Sequence, residues 1–388
     1  MIYEYHISYI SMWLITLESA FIAIGSYFFF DSLYILQSLV PLSSYQYGII
    51  LSITSIPNII LSILSSLIIY QLGNSLSALI FNTLIILGAV IFTTLLTLSI
   101  TNIIYLSLSA FILGLGSESI YIIQSTMLVN ELNKDKLPLS MSISTSLTRL
   151  GNIISSLTII PVVNGLGRYI YGFWYAVVVC ILSYIVNIIY YVRRREQIKY
   201  RRLVLMKLNW EYIALTYVTI FGYVIIYPYR TYSNYLISQR YNLSLEYSTW
   251  ILSIIDFICL VMIPIWGIVI NKHYKTTYIL LPISLFVGCI GYGLVLIEPI
   301  TSAIFIGLYL SSLSSSIWSY FSYIIPKKHS EMGYGLISSM TNLTLAIMYP
   351  LIGYISQSGL ISIVIVMMGC SLSSAMVSFT LMIIRFRS

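Results

Sequence analysis

The sequence predicts an all-helical integral membrane protein that crosses the bilayer many times. Of its 388 residues, 59% are hydrophobic and only 8% are charged, and the mean hydropathy is +0.94. Soluble domains average about 25% charged residues, so a soluble fold is excluded. The apolar runs are continuous rather than alternating, which also excludes a transmembrane β-barrel.

Twelve apolar segments are each long enough to cross a bilayer as a helix of about 20 residues. They cover residues 9–33, 45–71, 76–98, 102–131, 138–163, 169–192, 210–236, 246–270, 276–297, 300–325, 333–357 and 359–385. No Lys or Arg precedes the first segment, so no cleavable signal peptide is expected.

The basic residues fall mostly on one side of these spans. If the N-terminus is inside, the cytoplasmic connectors and the tail hold 15 of the 19 Lys and Arg residues. The positive-inside rule therefore predicts that both termini lie in the cytoplasm. This placement also explains the net charge of +7, and no nucleic-acid partner is predicted.

The longest connector, residues 193–209, carries seven basic residues and divides the chain into six spans on each side. We interpret it as a solvated cytoplasmic linker rather than a lipid-specific switch, with six-helix bundles at 1–192 and 210–388. The two sides echo each other, since Gly25 and Gly222 both stand in aromatic-rich first helices. This repeat resembles the major facilitator superfamily, in which two bundles rock about a midplane site.

The cytoplasmic signature of that superfamily, G-x-x-x-D-R-x-G, is present only in an altered form. After span eight the chain reads Gly267, Asn271, Lys272 and then Tyr274 in place of the last glycine, and after span two it keeps Gly73. We predict that Gly73, Gly267, Asn271 and Lys272 belong to a cytoplasmic gate. Because Asn271 and Lys272 stand at the Asp and Arg positions of the signature, the usual charge-based latch of that gate is not expected.

Glu118 and Arg149 are the charged residues that point most directly to a function. The short polar connector NELNKDKLP lies midway between them. In two antiparallel helices both would lie roughly 20 Å below the turn, near the middle of a bilayer of ~30 Å. A charge at that depth is costly unless it faces a partner or a polar cavity. We expect a functional pair, with a structural salt bridge between spans four and five as the alternative.

Four strings resemble a narrower branch, the lysosomal dipeptide uniporter family, also called major facilitator superfamily domain-containing protein 1. They cover roughly residues 20–155 and 210–275. The strings are GSYFFFD at 25–31 with Gln37, Pro57-Asn58, GSES at 116–119 with Gln124, Thr126, Arg149 and Gly151, and the pattern of Pro228, Pro264 and Gly267.

The resemblance implies a dipeptide carrier that works by alternating access and needs no cofactor. It also implies that Glu118 binds the α-ammonium of the dipeptide and Arg149 its α-carboxylate. Elementary chemistry agrees, because a zwitterion needs one charge of each sign and an arginine holds a carboxylate bidentately. Without solute the two residues could pair with each other.

Arg230 and Asp256 form a second candidate pair, since a connector again lies midway between them. They are either a structural ion pair or a specialisation for substrate binding or proton coupling. Pro228 is expected to kink or unwind the helix beside Arg230. Asp31, near the outer end of span one, is a candidate gate or proton site, with helix capping or solvation as the alternative.

The remaining polar candidates are amides inside spans. Asn58, Gln124, Asn152 and Asn342 could contact a solute or hydrogen-bond neighbouring helices. Glu18 lies in the middle of predicted span one and has no evident partner.

An enzyme is not predicted, because no catalytic motif is present and His6, His273 and His329 all fall at predicted cytoplasmic ends. The four cysteines lie singly in apolar runs, so no disulfide or metal site is expected.

The predicted partners are the bilayer and a small-molecule or dipeptide substrate. The alternatives are an organic-anion or drug carrier, or a membrane sensor or scaffold. The resembling family relies on an accessory glycoprotein, but no large extramembrane domain is evident here to receive one. We therefore expect a monomer. Since no sorting tail is evident, we expect the cell membrane of a single-celled organism.

Overall fold

The computed structural model describes residues 2–132, 137–193, 209–273, 275–326 and 329–387, and only the backbone at 2–11, 66, 70, 138, 330, 331 and 387. Twelve helices long and apolar enough to cross a membrane lie in these residues, which confirms the predicted number of spans. They are α1 (Ile2–Leu36), α2 (Ser44–Ile69), α3 (Gln71–Thr97), α4 (Ile103–Glu131), α5 (Leu137–Leu166), α6 (Ile170–Arg193), α7 (Trp210–Tyr241), α8 (Leu245–Lys272), α9 (Thr276–Leu294), α10 (Pro299–Ile324), α11 (Ser330–Ile355) and α12 (Leu360–Arg387).

Serines begin α2 and α8, the second helix of each half. The Ser43 hydroxyl accepts the Gln46 N–H at 3.2 Å, and the Gln46 side chain accepts the Ser43 N–H at 3.0 Å, which completes a capping box. The Ser244 hydroxyl accepts the Tyr247 N–H at 3.1 Å in the same way. The similar loops SSYQYG at 43–48 and LSLEYS at 243–248 are thus matching helix starts.

Two helical segments are locally interrupted. Gly73, with a φ of 80°, kinks the otherwise continuous helical stretch from Ser44 to Thr97 close to the start of α3. A left-handed φ of this kind suits glycine, which has no Cβ. Within α7, residues Thr219–Val224 form a π-helical turn just before Pro228. Proline lacks the N–H that would bond the carbonyl four residues earlier, so the predicted distortion occurs on its N-terminal side.

Each half closes its first helix on its last with an ion pair. Glu18 of α1 accepts from Arg193 of α6 at 2.7 Å, and Glu211 of α7 accepts from Arg385 of α12 at 2.6 Å. Glu18, which had no evident partner in the sequence, thus contacts the end of α6. Arg193 ends a helix, whereas residues 194–208 of the predicted linker lie outside the described part of the chain.

The two halves meet along α5 with α8, α2 with α11, and α1 with α7. Serine hydroxyls cross these contacts and donate to backbone carbonyls of the other half. They include Ser52 to Ala346 at 2.6 Å, Ser146 to Leu260, and Ser339 to Ile59. A carbonyl inside a helix can accept a second hydrogen bond, so the serines join the halves without disrupting either helix.

Candidate functional site

A cavity lies between the two halves at the centre of the fold. It holds about 1540 Å³ of empty space, a figure that includes the space at its open end. Side chains of α1, α2, α4, α5, α7, α10 and α11 line it. Much of the wall is aromatic, from Tyr27, Phe30, Tyr34, Tyr121, Tyr223, Tyr227, Trp318, Tyr334 and Tyr349.

The cavity extends toward the terminal face, which we define as the face where α1 begins and α12 ends. Leu128, Met141 and Tyr334 line it close to the ends of their helices on that face. By the predicted topology the terminal face is cytoplasmic.

At the opposite face the halves are in contact. The hydroxyls of Tyr34 and Tyr349 lie 2.8 Å apart, and the Tyr232 hydroxyl lies 3.2 Å from the Ser44 carbonyl oxygen. A Cβ on Gly48 would meet the Tyr349 carbonyl oxygen at 2.7 Å, so α2 and α11 approach closely there.

Four buried charges from both halves form one network beside the cavity. Asp256 lies between two arginines, with Arg230 Nη1 at 2.6 Å from its Oδ2 and Arg149 Nη1 at 3.5 Å from its Oδ1. Arg230 Nη2 lies 2.7 Å from Asp31 Oδ1. Each of the four side chains is 6% exposed or less. The expected Arg230–Asp256 contact is present, and the network carries two positive and two negative charges.

Asp31 is held by both halves of the protein. In addition to Arg230 of the second half, the hydroxyls of Ser155 and Ser156 on α5 donate to its Oδ2, the latter at 3.2 Å. Its side chain is 2% exposed, so the alternative of a solvated helix end was wrong. Asp31 and Arg230 both line the cavity.

Glu118 and Arg149 do not pair. Glu118 lines the cavity and accepts a hydrogen bond at 3.0 Å from Ser338 of α11. Arg149 instead points to α8 and α7, where it contacts Asp256 and donates to the Tyr223 hydroxyl at 3.2 Å. The alternative of a structural salt bridge between spans four and five is therefore wrong, because each side chain contacts the opposite half rather than its neighbouring helix.

Arg149 lies behind the cavity wall in this conformation. Asn152 and Tyr223, both on the wall, connect it to the cavity, since Asn152 donates to the same Asp256 at 3.2 Å. The Nε of Arg149 is buried without a hydrogen-bond partner. Arg230 is the arginine that faces the cavity directly.

The amide candidates divide into two groups. Gln124, Asn152 and Asn342 line the cavity, and Gln124 donates to Ser144 at 2.9 Å. Asn58 does not line it. Its amide donates to the Gly114 carbonyl at 2.8 Å and the Thr54 carbonyl at 3.0 Å, so it joins α2 to α4 within the first half.

The predicted cytoplasmic gate residues lie away from the cavity. Gly73 forms the kink close to the start of α3, Gly267 is buried in α8, and Asn271 and Lys272 are exposed at the end of α8. Tyr274 of the altered signature lies outside the described residues.

Sequence reasoning missed the hydroxyl groups that complete the site. Ser338 contacts Glu118, and Ser155 with Ser156 contact Asp31. Serine is so frequent in these spans that no single position stands out. The only usable signal was helical spacing, because Ser155 and Ser156 follow Arg149 by about two turns of α5.

Comparison with known proteins identifies the fold and relatives. The family model described as Major Facilitator Superfamily matches residues 12–349. A bacterial homologue of the iron transporter ferroportin, crystallised in an outward-facing state, superposes with a TM-score of 0.69. It is 13% identical, and the match covers 95% of this chain and 98% of that one. At this identity the likeness concerns the fold alone.

The curated relatives share one name, lysosomal dipeptide transporter MFSD1. The human protein is 23% identical over 377 residues, which cover 89% of this chain and 80% of the relative. The mouse protein is 24% identical over 367 residues, with 87% and 78% covered. The Danio rerio protein is 23% identical over 368 residues, with 86% and 78% covered. These lysosomal names do not support the expected cell-membrane location.

Proposed function

The chain belongs to the major facilitator superfamily, a family of membrane transporters rather than enzymes, and we propose that its solute is a dipeptide or another small zwitterion. One observation carries the proposal. Glu118 stands on one wall of the central cavity without a basic partner among the described residues, while Arg230 stands on another wall. The similarity to proteins named dipeptide transporters supports the same solute class.

The two ends of the solute would bind to different halves of the protein. Glu118 of α4 would receive the α-ammonium. The α-carboxylate would bind toward the arginine network, where Arg230 faces the cavity and Arg149 lies behind Asn152 and Tyr223. Binding across the interface couples the solute to the relative position of the halves, which alternating access requires.

The part of the cavity that would hold the side chains of a dipeptide has a mostly aromatic wall. The wall presents tyrosine rings whose faces are apolar and whose hydroxyls can hydrogen-bond. Such a wall accepts side chains of varied shape without demanding one charge. We therefore assign a broad range of neutral dipeptides to the site.

An organic-anion carrier is the second candidate, and Glu118 argues against it. The carboxylate of Glu118 on the cavity wall disfavours a solute that carries only negative charge, whereas it attracts the ammonium end of a zwitterion. We expect the protein to operate as a monomer, without a cofactor. The relatives are named lysosomal, and we infer the same membrane for this protein. Imaging of a fluorescent fusion against lysosomal and cell-surface markers tests this location.

Ligand-dependent thermal stability of the detergent-purified protein tests the proposal. A ligand that binds the folded state raises the melting temperature by mass action. We expect neutral dipeptides to stabilise the wild type, and to lose that effect in Glu118→Gln, Arg149→Gln and Arg230→Gln.

Two half-probes serve as controls in the same assay. Phenylalanine amide carries only the ammonium, and N-acetylphenylalanine carries only the carboxylate. The amide should still stabilise both arginine variants but not Glu118→Gln. If N-acetylphenylalanine stabilises the wild type while no dipeptide does, the protein is an anion carrier and the proposal is wrong.

A further inference from the structure

The four-charge network crosses the interface between the halves at two places. Asp31 of α1 contacts Arg230 of α7 at 2.7 Å, and Arg149 of α5 contacts Asp256 of α8 at 3.5 Å. The helix pairs α1–α7 and α5–α8 both lie at the interface. One ion pair of the network therefore crosses each of these two helix contacts.

The third ion pair of the network lies within the second half. Arg230 Nη1 and Asp256 Oδ2 are 2.6 Å apart, and both residues belong to the second half. The two ends of the network, Asp31 and Arg149, both belong to the first half. If the halves move apart, the second half keeps its ion pair and the first half keeps one acid and one base. The network thus divides into two parts, each without net charge.

Asp31 and Arg149 are connected along one face of α5. Arg149, Asn152 and Ser156 follow one another at intervals of three and four residues, so they lie on the same side of the helix. Asp31 accepts from Ser156 on this face at 3.2 Å. Asn152 lies between them and donates to Asp256 at 3.2 Å. Because an amide has both a donor and an acceptor, Asn152 can link Arg149 to Asp31 once Asp256 has moved away.

The network lies beside the closed contacts of the opposite face. Asp31 stands three residues, about one turn of α1, before Tyr34. The Tyr34 hydroxyl lies 2.8 Å from the Tyr349 hydroxyl of the other half. Asp31 and Arg230 line the end of the cavity at this depth. The halves cannot separate at the opposite face without breaking the ion pairs that cross the interface.

A single ion pair across this interface could not open and close easily. Breaking it would leave a buried acid in one half and a buried base in the other, and an unpaired buried charge is strongly destabilising. The second ion pair, of reversed polarity, removes this difficulty. Asp31 and Arg149 give the first half one charge of each sign, while Arg230 and Asp256 remain paired in the second half. The contacts can therefore break and form again.

We propose that Asp31, Arg149, Arg230 and Asp256 form an ion-pair clamp that holds the opposite face closed and opens by dividing into two neutral pairs. In the closed state two of its ion pairs cross the interface. In the open state Arg230 stays with Asp256, and Arg149 stays with Asp31. The clamp concerns the conformational change alone, so it does not depend on the identity of the solute.

Four double variants that keep the network neutral test the clamp. Two same-half variants, Asp31→Asn with Arg149→Gln and Arg230→Gln with Asp256→Asn, leave no ion pair of the network across the interface. Two cross-half variants remove an acid and a base from opposite halves. Asp31→Asn with Arg230→Gln keeps the Arg149–Asp256 pair across the interface, and Arg149→Gln with Asp256→Asn keeps the Asp31–Arg230 pair. The cross-half variants are the matched controls, since they remove the same number of charges.

Exposure of the cavity at the opposite face is the readout. The parent and each double variant carry Ser55→Cys, because Ser55 lines the cavity. An impermeant maleimide is added to sealed vesicles on the side of that face, without solute, and proteins with Ser55 intact give the background from the native cysteines. We expect the same-half variants to be labelled about tenfold faster than the parent or more, because the lost hydrogen bonds join charged groups. The cross-half variants should be labelled more slowly than the same-half variants.

Labelling from the terminal face separates opening from a loosened fold. In the same-half variants it should stay equal or fall, because these variants spend less time open to the terminal face. Faster labelling of those variants from both faces would mean loss of structure and would overturn the clamp. Equal labelling of all four double variants from the opposite face would also overturn it, since the division of charges between the halves would then have no effect. No solute is present, so failure of the proposed function would leave these results unchanged.

Discussion

Glu18 and Glu211 occupy equivalent places in the two halves, and each binds an arginine at the end of the last helix of its own half. The contacts are 2.7 Å to Arg193 and 2.6 Å to Arg385. The repetition extends inward, because a Cβ on Gly25 would meet Ser183 of α6, and one on Gly222 would come within 3.4 Å of Ser374 of α12. Each half thus ties its first helix to its last.

These end pairs should contribute little to overall stability. The arginine side chains are 47% and 35% exposed, so solvent screens both contacts. We expect a double-mutant cycle of Glu211→Gln and Arg385→Gln to give a coupling energy below about 1 kcal/mol. Thermal denaturation in detergent measures it. A coupling of several kcal/mol would mean that the pair is far more buried than its geometry indicates.

Asp256 should be much more important for stability. Asp256→Asn leaves two arginines to share only Asp31, and an uncompensated buried charge costs about 3–5 kcal/mol. We expect a large fall in the melting temperature. Adding Arg149→Gln restores neutrality and should recover part of that loss. An unchanged melting temperature in the single variant would show that Asp256 is not the shared counter-ion.

Two helical glycines should respond oppositely to alanine. A Cβ on Gly114 would overlap the Thr54 backbone carbonyl, so Gly114→Ala should destabilise by about 1–3 kcal/mol. Nothing lies within 4 Å of a Cβ on Gly369, which is exposed in α12, so Gly369→Ala should stabilise by about 0.5–1 kcal/mol. Melting temperatures of the two variants provide the test, and equal shifts would contradict the close packing of α2 on α4.

The Tyr34–Tyr349 hydrogen bond should hold the opposite face closed. Tyr349→Phe removes one partner of a bond worth roughly 0.5–1.5 kcal/mol, which corresponds to a roughly two- to tenfold shift toward opening. Opening is measured with Ser55→Cys, because Ser55 lines the cavity. An impermeant maleimide is added to sealed vesicles on the side of the opposite face, and it should label this cysteine faster when that face opens more often.

Tyr334→Phe is the matched control for that experiment, because its ring lines the cavity near the terminal face. Its labelling rate should equal that of the parent. Tyr34→Phe should match Tyr349→Phe, since both remove the same hydrogen bond. Unequal effects would mean that the two hydroxyls act separately.

The depth of a charged residue in the membrane could be predicted from the sequence. The direction in which its side chain points about the helix axis could not. The midpoint argument placed Arg230 and Asp256 at a common depth, and they are in contact. The same argument did not predict the partners of Glu118 and Arg149, whose helices are also consecutive. Equal depth is necessary for contact, but rotation about the helix axis turns Arg149 toward α8 and Glu118 toward α11.

The similarity of the two halves could be predicted from the sequence because it depends on individual residue types. Serines that cap α2 and α8, and glycines that admit close helices, are read directly from residue type. The partner of Glu18 was not visible, since Arg193 looked like part of a basic connector. Only the length of α6 shows that Arg193 still belongs to a helix.

The balance of the four-charge network determines how it responds to membrane voltage. Moving one elementary charge through the field is worth about 2.3 kcal/mol per 100 mV. Asp31, Arg149, Arg230 and Asp256 sum to zero, so the field exerts no net force on them as a group. Among the described charges that line or adjoin the cavity, Glu118 and the solute that it would bind are then the ones on which the field exerts a net force.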